Sequence, residues 1–422
     1  MTVDSTAGPH SLPISRRPPT FFQQKLRAVA FFLIFNLGCL MINTSQFVFL
    51  LPLRLLPFRW SRSLYDEGIR YTKGAFGCLL ILMCQWFSPT NLQITFEASG
   101  MGAVPQDVVE SIVVRDKKGN VVSLDLPSKF VYIANHQIYA DWWYAWCFLY
   151  YFSSEAHRYI YITLKKSLRW VPVVGWGMQF FNFIFLARSW ASDRLQLATH
   201  LSLLGQAAES DQMPLAFILY PEGTLVSENT RPISKKFADK MGITDMTHVL
   251  LPRSTGLLYS LRSLSPRIKE LHLLDVTMVY PGIPPLAYGQ DYYTLRTMFF
   301  DGVAPPAVHM HLRMFKVAEL PIGDLSDTQP LKIPDTSPNQ HAVEVEIPKE
   351  EKEAFDVWLR NLWQEKDEAI GRFHESGRLS EEILPEFDIP LRLRSRREIL
   401  DAFCFFLPAT VIGYLWSKLK AQ

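Results

Sequence analysis

Apolar positions along this chain fall into three long runs and a series of short ones. The first long run covers residues 28–53 and is broken only by Asn36, Asn43, Thr44, Ser45 and Gln46. About 20 apolar residues suffice to cross a hydrocarbon core of about 30 Å, so this run predicts a membrane anchor. It has no small-residue cleavage site and starts too far in for a typical signal peptide. The Asn43-Thr44-Ser45 sequon lies inside it and carries little weight for glycosylation. A second run, 75–87, is about half as long and ends at Ser88-Pro89. It reads as re-entrant, interfacial or a strongly tilted partner of the first. Arg16, Arg17, Lys25 and Arg27 precede the first run, while Arg54, Arg59, Arg62, Arg70 and Lys73 follow it, so flanking charge sets no orientation. A hairpin that enters and leaves on one membrane face resolves that conflict. The third run, 402–416, contains Pro408, precedes Lys418 and Lys420, and is expected to dip into a bilayer without crossing it.

Between the second and third runs the pattern changes to short apolar segments separated by polar turns. Residues 92–98 and the pair 112–114 and 121–124, joined by Lys117-Lys118-Gly119-Asn120, suggest an antiparallel start. Further strands are expected at 130–133, 159–164, 180–186, 215–219, 276–280 and in the alternating 309–314. Helical patterns intervene, notably over 193–209, and this alternation predicts an α/β fold with a mixed sheet flanked by helices. The expected organisation is a disordered tail rich in Pro, Ser and Thr (1–24), then a membrane-embedded helical hairpin (25–90) and an α/β domain (91–321). After these come an exposed Pro, Asp and Glu-rich loop (322–352), an amphipathic helical region (353–398) and a short C-terminal apolar segment (399–422). In the amphipathic region Phe355, Trp358, Leu359, Leu362, Ile370 and Phe373 share one helical face that packs on the domain or on the membrane.

Length and composition narrow the reading only slightly. At 422 residues the chain forms two domains or one large domain with additions. Lys plus Arg number 43 against 41 for Asp plus Glu, so net charge gives no case for nucleic acid. Cys39, Cys78, Cys84, Cys147 and Cys404 lie in apolar surroundings without Cys-x-x-Cys or Cys/His ligand spacing, and read as packing residues, neither disulfides nor a zinc site.

Candidate chemistry concentrates where apolar strands end. The strand at 130–133 runs into Asn135-His136, and Asp141 opens what looks like a helix five residues later. On one continuous helix the two side chains would point about 140° apart and sit about 7.5 Å apart along the axis. With His136 in the turn and Asp141 in the first helical turn, the carboxylate can reach back to the imidazole. It would then fix the tautomer and leave the other ring nitrogen free to take a proton. The same two residues also fit a core histidine and a helix-capping aspartate. A second cluster, Glu222-Gly223-Thr224, follows the strand at 215–219 and combines an anion, a residue free to adopt positive φ, and a hydroxyl. It suits a loop around a polyol or phosphate ester, and equally a plain turn. Arg188 closes another strand where a phosphate could be gripped bidentately, or where a surface salt bridge could form. Arg253, Lys165 and Lys166 are similar cases.

In combination these motifs are specific, all at carboxyl ends of expected strands, where open α/β sheets place their sites. Over residues 129–280 the chain closely resembles the glycerolipid acyltransferase family, the 1-acylglycerol-3-phosphate acyltransferases and their lysophospholipid-acylating relatives. Asn135-His136 to Asp141 matches the family's first block, residues 177–188 the second, Pro221-Glu222-Gly223-Thr224 the third, and Leu251-Pro252 a looser fourth that departs from an apolar-Pro pattern by carrying Arg253. The wording around His136, the run 170–178 and Leu251-Pro252-Arg253-Ser254-Thr255-Gly256 are most similar to the eukaryotic branch of lysocardiolipin and lysophosphatidylinositol acyltransferases.

The resemblance implies a membrane-bound enzyme that moves a fatty acyl group from acyl-CoA, as co-substrate, to a glycerol hydroxyl of a lysophospholipid. No metal or other cofactor, and no nucleic-acid partner, is implied. His136 would be the general base and Asp141 its orienting partner, while Arg188 would hold the acceptor phosphate. Glu222, Gly223 and Thr224 would shape the pocket, with Arg253 and Lys166 as further binding residues. The endoplasmic reticulum is the implied membrane. Two other classes stay open: a membrane lipid hydrolase, for which no Gly-x-Ser-x-Gly elbow is present, and a catalytically silent lipid-binding scaffold on the same fold.

Overall fold

The structure, a computed structural model of the chain, describes residues 8–19, 22–187, 190–325, 347–409 and 416. Among the described residues ten strands are formed: β1 (Asn91–Phe96), β2 (Val113–Arg115), β3 (Val121–Leu124), β4 (Lys129–Ala134), β5 (Ile160–Lys165), β6 (Ile184–Leu186), β7 (Leu215–Leu219), β8 (His272–Val279), β9 (Ala307–Lys316) and β10 (Phe387–Pro390). The helices that pack around the sheet include α1 (Phe22–Thr44), α2 (Arg59–Phe87), α3 (Asp141–Tyr150), α4 (Trp190–Ser210), α5 (Ser254–Leu264) and α6 (Lys349–Ser376).

Eight strands make one sheet in the order β10-β1-β9-β8-β4-β7-β5-β6, while β2 and β3 form a separate antiparallel pair. From β8 to β6 neighbours run parallel. β9 is antiparallel to β8, and β10 is antiparallel to β1 on the far edge. The sheet is therefore mixed, as the alternation predicts. β4 and β7 are buried almost throughout because parallel central strands are covered on both faces, which is why they read as unbroken apolar runs. Along β4 the pleat sends Phe130, Tyr132 and Ala134 into one core with α2 and α3, and Val131 and Ile133 into a second core with α5 and α6.

The helical pair at the N-terminus differs from a purely membrane-embedded hairpin. α1 continues through a π-helical stretch, Ser45–Leu50, into Leu51–Leu55, and Phe22–Leu55 is long and apolar enough to cross a membrane. α2 packs antiparallel to it, with Gly38 against Leu79 and Gly68 against Leu50. Yet residues 79–84 of α2 have no exposed surface, because they lie in the same core as β4 and α3. An apolar helix looks the same in sequence whether lipid or protein covers it. Burying each such side chain contributes about 1.5–3 kcal/mol, so these residues serve the domain's core.

The C-terminal part also differs in detail. The helix expected from residue 353 begins at Lys349, inside the stretch expected as an exposed loop, and residues 326–346 of that loop lie outside the described residues. Within the expected helical region, Phe387–Pro390 instead supplies the edge strand β10, which hydrogen-bonds to β1. Of the C-terminal apolar segment, Ala402 and Cys404 are buried, and Tyr71 on α2 donates to Asp401 at 3.0 Å, so its beginning is fastened to the domain. Residues 410–415 and 417–422 lie outside the described residues, as do 1–7 of the expected tail. All five cysteines are buried and unbridged.

Candidate functional site

The register of the central strands sets the site. Ile133 of β4 lies opposite Leu219 of β7, so Asn135-His136 and Tyr220-Pro221-Glu222 leave the sheet side by side. β8 runs on past β4, and the Asn135 side chain pairs with it as an extra strand residue would. It donates to the Met278 carbonyl at 2.9 Å and accepts from the Met278 N–H at 2.8 Å. The turn that carries His136 is thereby pinned to two strands.

Asp141 is the first residue of α3 and fully buried. Its Oδ2 takes the Gln137 and Ile138 backbone N–H groups at 2.7 and 3.1 Å, and lies 2.7 Å from His136 Nδ1. Its Oδ1 accepts the Tyr280 hydroxyl at 2.5 Å. With a saturated carboxylate as partner, His136 Nδ1 is the protonated nitrogen and donates, an assignment that follows from the acceptor's chemistry. The imidazole stacks on the Tyr220 ring, centroids 4.7 Å apart, and keeps part of its surface exposed. Among the described residues Nε2 has no hydrogen-bond partner. The arrangement presents one basic nitrogen, oriented by a buried carboxylate, at the open carboxyl edge of a parallel sheet.

Sequence reasoning missed Tyr280, because a tyrosine ending a strand carries no signal of its own. Burial holds its hydroxyl well above the ordinary tyrosine range, so it stays a donor to Asp141. Replacing Tyr280 by phenylalanine removes one hydrogen bond to a carboxylate, worth about 1.5–3 kcal/mol. Any activity that depends on the His136–Asp141 pair is expected to fall about tenfold in kcat. An unchanged kcat would remove Tyr280 from the positioning of Asp141.

Glu222 occupies a different place from an open lining residue. It is 2% exposed, and its carboxylate accepts the His136 N–H at 3.1 Å, the Leu250 N–H at 3.2 Å and the Trp363 indole N–H at 3.4 Å. Burial pushes its pKa from 4.5 up to about 7 despite these donors. It braces the His136 turn from beneath. Trp363 comes from α6, and one turn on, the fully buried Lys366 lies 2.9 Å from Asp275 of β8 and donates to the Val276 carbonyl at 2.8 Å. Sequence reasoning missed both, although a lysine on the apolar stripe of a helix was an available signal.

Gly223 has φ 72°, a conformation that favours glycine, and Arg253 lies over it: a Cβ there would sit 3.7 Å from Arg253 Cδ. The Arg253 N–H donates to the Pro221 carbonyl at 2.8 Å, which joins this arginine to the Glu222 turn, and its side chain is exposed. Thr224 follows in the same turn, partly buried. His136, Asp141, Glu222, Gly223, Thr224 and Arg253 are thus brought together. Lys166 is exposed just after β5, on the same edge of the sheet, and among the described residues no hydrogen bond or ion pair ties it to the cluster. Arg188 lies outside the described residues; the chain before it is held at Ala187, whose N–H donates to Asp193 at 2.9 Å. Among the described residues no group of His, Cys, Asp and Glu has the form of a metal site.

Comparison with known proteins places this geometry in context. The family model described as "Acyltransferase" matches residues 117–280, which include every residue of the cluster just described except Trp363 and Lys366. An uncharacterised acyltransferase of Schizosaccharomyces pombe is 32% identical, over 93% of this chain and 97% of its own length. A 2-acyl-1-lysophosphatidylinositol acyltransferase of Saccharomyces cerevisiae is 31% identical over 82% of this chain and 83% of its own length. Lysocardiolipin acyltransferase 1 of Danio rerio is 31% identical over 58% of this chain and 53% of its own length.

Proposed function

The chain belongs to the acyltransferase family, and from that premise we propose that it transfers a fatty acyl group from acyl-CoA to a free glycerol hydroxyl of a lysophospholipid at a membrane surface. The observation that carries the reading is the His136 imidazole, held through Nδ1 by buried Asp141 at 2.7 Å with Nε2 unpartnered among the described residues at the strand ends. Relatives named as lysophosphatidylinositol and lysocardiolipin acyltransferases support a lysophospholipid acceptor.

In this mechanism Nε2 takes the proton of the acceptor hydroxyl as its oxygen attacks the thioester carbonyl carbon. The carbon–sulfur bond breaks when the tetrahedral intermediate collapses, the imidazolium returns the proton to the departing thiolate, and free CoA and acylated lipid result. Asp141 stabilises the imidazolium without itself being protonated. Arg253, with Arg188 and Lys166, supplies the cations for the acceptor phosphate and the phosphates of CoA. Gly223 suits the turn beneath Arg253 because its φ of 72° would strain any residue with a side chain. No covalent enzyme intermediate enters.

Membrane attachment is part of the proposal. Phe22, Leu26, Phe32, Leu33 and Leu37 on α1 are more than half exposed, a continuous apolar surface that a bilayer would cover. Basic residues on both flanks favour entry and exit on one face, and the endoplasmic reticulum is the membrane proposed from the resemblance. Both acceptor and acyl chain partition into lipid, so a site at the interface need not extract either fully.

Thiol release from acyl-CoA, followed with the detergent-purified full chain, tests the reading. Release is expected only when a lysophospholipid is present. Acceptor-independent release of fatty acid would make the protein a hydrolase, and no release with any acceptor would leave a lipid-binding scaffold.

A further inference from the structure

A cavity of ≈ 250 Å³ adjoins the His136–Asp141 pair on the β8 side. Gln137, next to His136, forms part of its wall, and so does Tyr280, whose hydroxyl donates to Asp141. The opposite wall comes from Thr247 and His248, ahead of Leu250, and from His374 near the end of α6. Pockets that enclose a drug-sized ligand run to about 300–1,000 Å³, so this one is sized for a headgroup and not for a lipid with its chain.

Among the described residues the one charge on the walls is the Arg231 guanidinium; the other lining side chains are neutral. The rings of His248 and His374 lie 5.1 Å apart and, among the described residues, make no hydrogen bonds. Burial lowers the pKa of both below the ordinary histidine value; at His248 the Asp367 carboxylate opposes this and the Arg231 cation adds to it, at His374 the His248 ring adds to it, and both are neutral at pH 7. Arg231 also borders the cavity, but its guanidinium is spent on the carbonyls of Met246, Thr247 and Val249 at 2.7, 2.9 and 2.7 Å. No carboxylate is among the described residues that line it. A quaternary ammonium headgroup would find no counter-charge, whereas hydroxyls would find paired donors and acceptors in neutral imidazoles, Gln137 and Tyr288. Ile283 and Ala287 offer an aliphatic side for the C–H face of a ring.

The walls are also preorganised. Asp367 on α6 accepts the N–H groups of Thr247, His248 and Val249 at 2.9, 2.6 and 3.1 Å, fixing the loop that carries His248. Gly371 interrupts the same helix at the point where a Cβ would stand 3.4 Å from His248 Nε2. Such rigidity lowers the ordering cost of a ligand.

We propose that this cavity binds the uncharged, hydroxylated part of the acceptor headgroup, a polyol esterified to the phosphate, with His248 and His374 as its hydrogen-bonding pair. The proposal rests on the acyl transfer proposed above and names its acceptor class. It assigns a substrate role to the end of α6, outside the 117–280 stretch matched by the family model.

The experiment measures binding of three soluble probes to the full chain in detergent: glycerophosphoinositol, glycerol 3-phosphate and glycerophosphocholine. The wild type is expected to bind the inositol ester at least fivefold more tightly than either of the others. His374→Ala is expected to weaken that probe about tenfold and leave glycerol 3-phosphate binding unchanged, while His374→Gln, which keeps hydrogen-bonding groups, restores part of the loss. In acyl-transfer assays the KM for an inositol-bearing lysolipid should rise about tenfold in His374→Ala, with the KM for lysophosphatidate unmoved. Equal changes for every acceptor, or none, would overturn the proposal even if acyl transfer occurs. Selective binding by a wild type that transfers no acyl group would uphold the cavity and refute the reading of function on which it was built.

Discussion

Replacing His136 by alanine is expected to lower acyl transfer by about 10²–10⁴-fold in kcat, the range that a positioned general base contributes. The fold should survive, because the ring is partly exposed and its only hydrogen bond among the described residues is to Asp141. Asp141 keeps its two backbone donors and the Tyr280 hydroxyl in the variant, so the buried carboxylate is not abandoned. The thermal transition should therefore move little while kcat collapses. If more than a few per cent of activity remains in a folded variant, proton removal belongs to another group.

The second large effect belongs to Glu222, and it should appear in stability as well as in rate. Alanine at this position would leave three buried donors without an acceptor: the His136 and Leu250 N–H groups and the Trp363 indole. Each unsatisfied group costs about 1–3 kcal/mol, so a loss of several kcal/mol is expected together with displacement of the His136 turn. Glutamine is the more informative change. The folded pKa of Glu222 is raised from 4.5 to about 7 by burial, so the folded state holds a proton that the unfolded state has already released. The proton-linked stability is fully present below about pH 4.5 and is lost as pH rises to about 7. Relative to Glu222→Gln, which does not titrate, the wild type should lose roughly 3 kcal/mol across that window and level off above it. A wild-type-minus-Gln difference in stability that does not fall with rising pH would show that the carboxyl ionises at its ordinary value.

How far the chain announced this structure depends on which residues speak locally. The His136–Asp141 contact was legible because an apolar strand, a turn and an aromatic helix follow one another within residues 130–150, and only that switch of elements lets residues five apart meet. The mixed sheet was legible in the same way, since β4 and β7 are buried on both faces and carry unbroken apolar runs. Glu222 was found as a site residue, but its place was not legible, because its donors lie on Leu250 and on Trp363, which is 141 residues away in sequence. The apolar run of α2 misled for a physical reason: Leu79 to Cys84 would read identically beneath lipid headgroups or beneath a β-sheet. β10 escaped notice because four residues ending in proline show no period, and their strand character comes from pairing with β1. Lys366 and Asp275 illustrate the same limit, each an oddity on an apolar element until the other is seen beside it.

Acyl transfer through His136 is tested by following a labelled acyl chain from acyl-CoA into lipid with purified full-length protein, a panel of lysophospholipids and His136→Ala alongside. A labelled diacyl product is expected from at least one acceptor, formed by the wild type and absent with the variant. A folded, lipid-embedded wild type that labels no acceptor, or a His136→Ala protein that labels one as well as the wild type does, would contradict it.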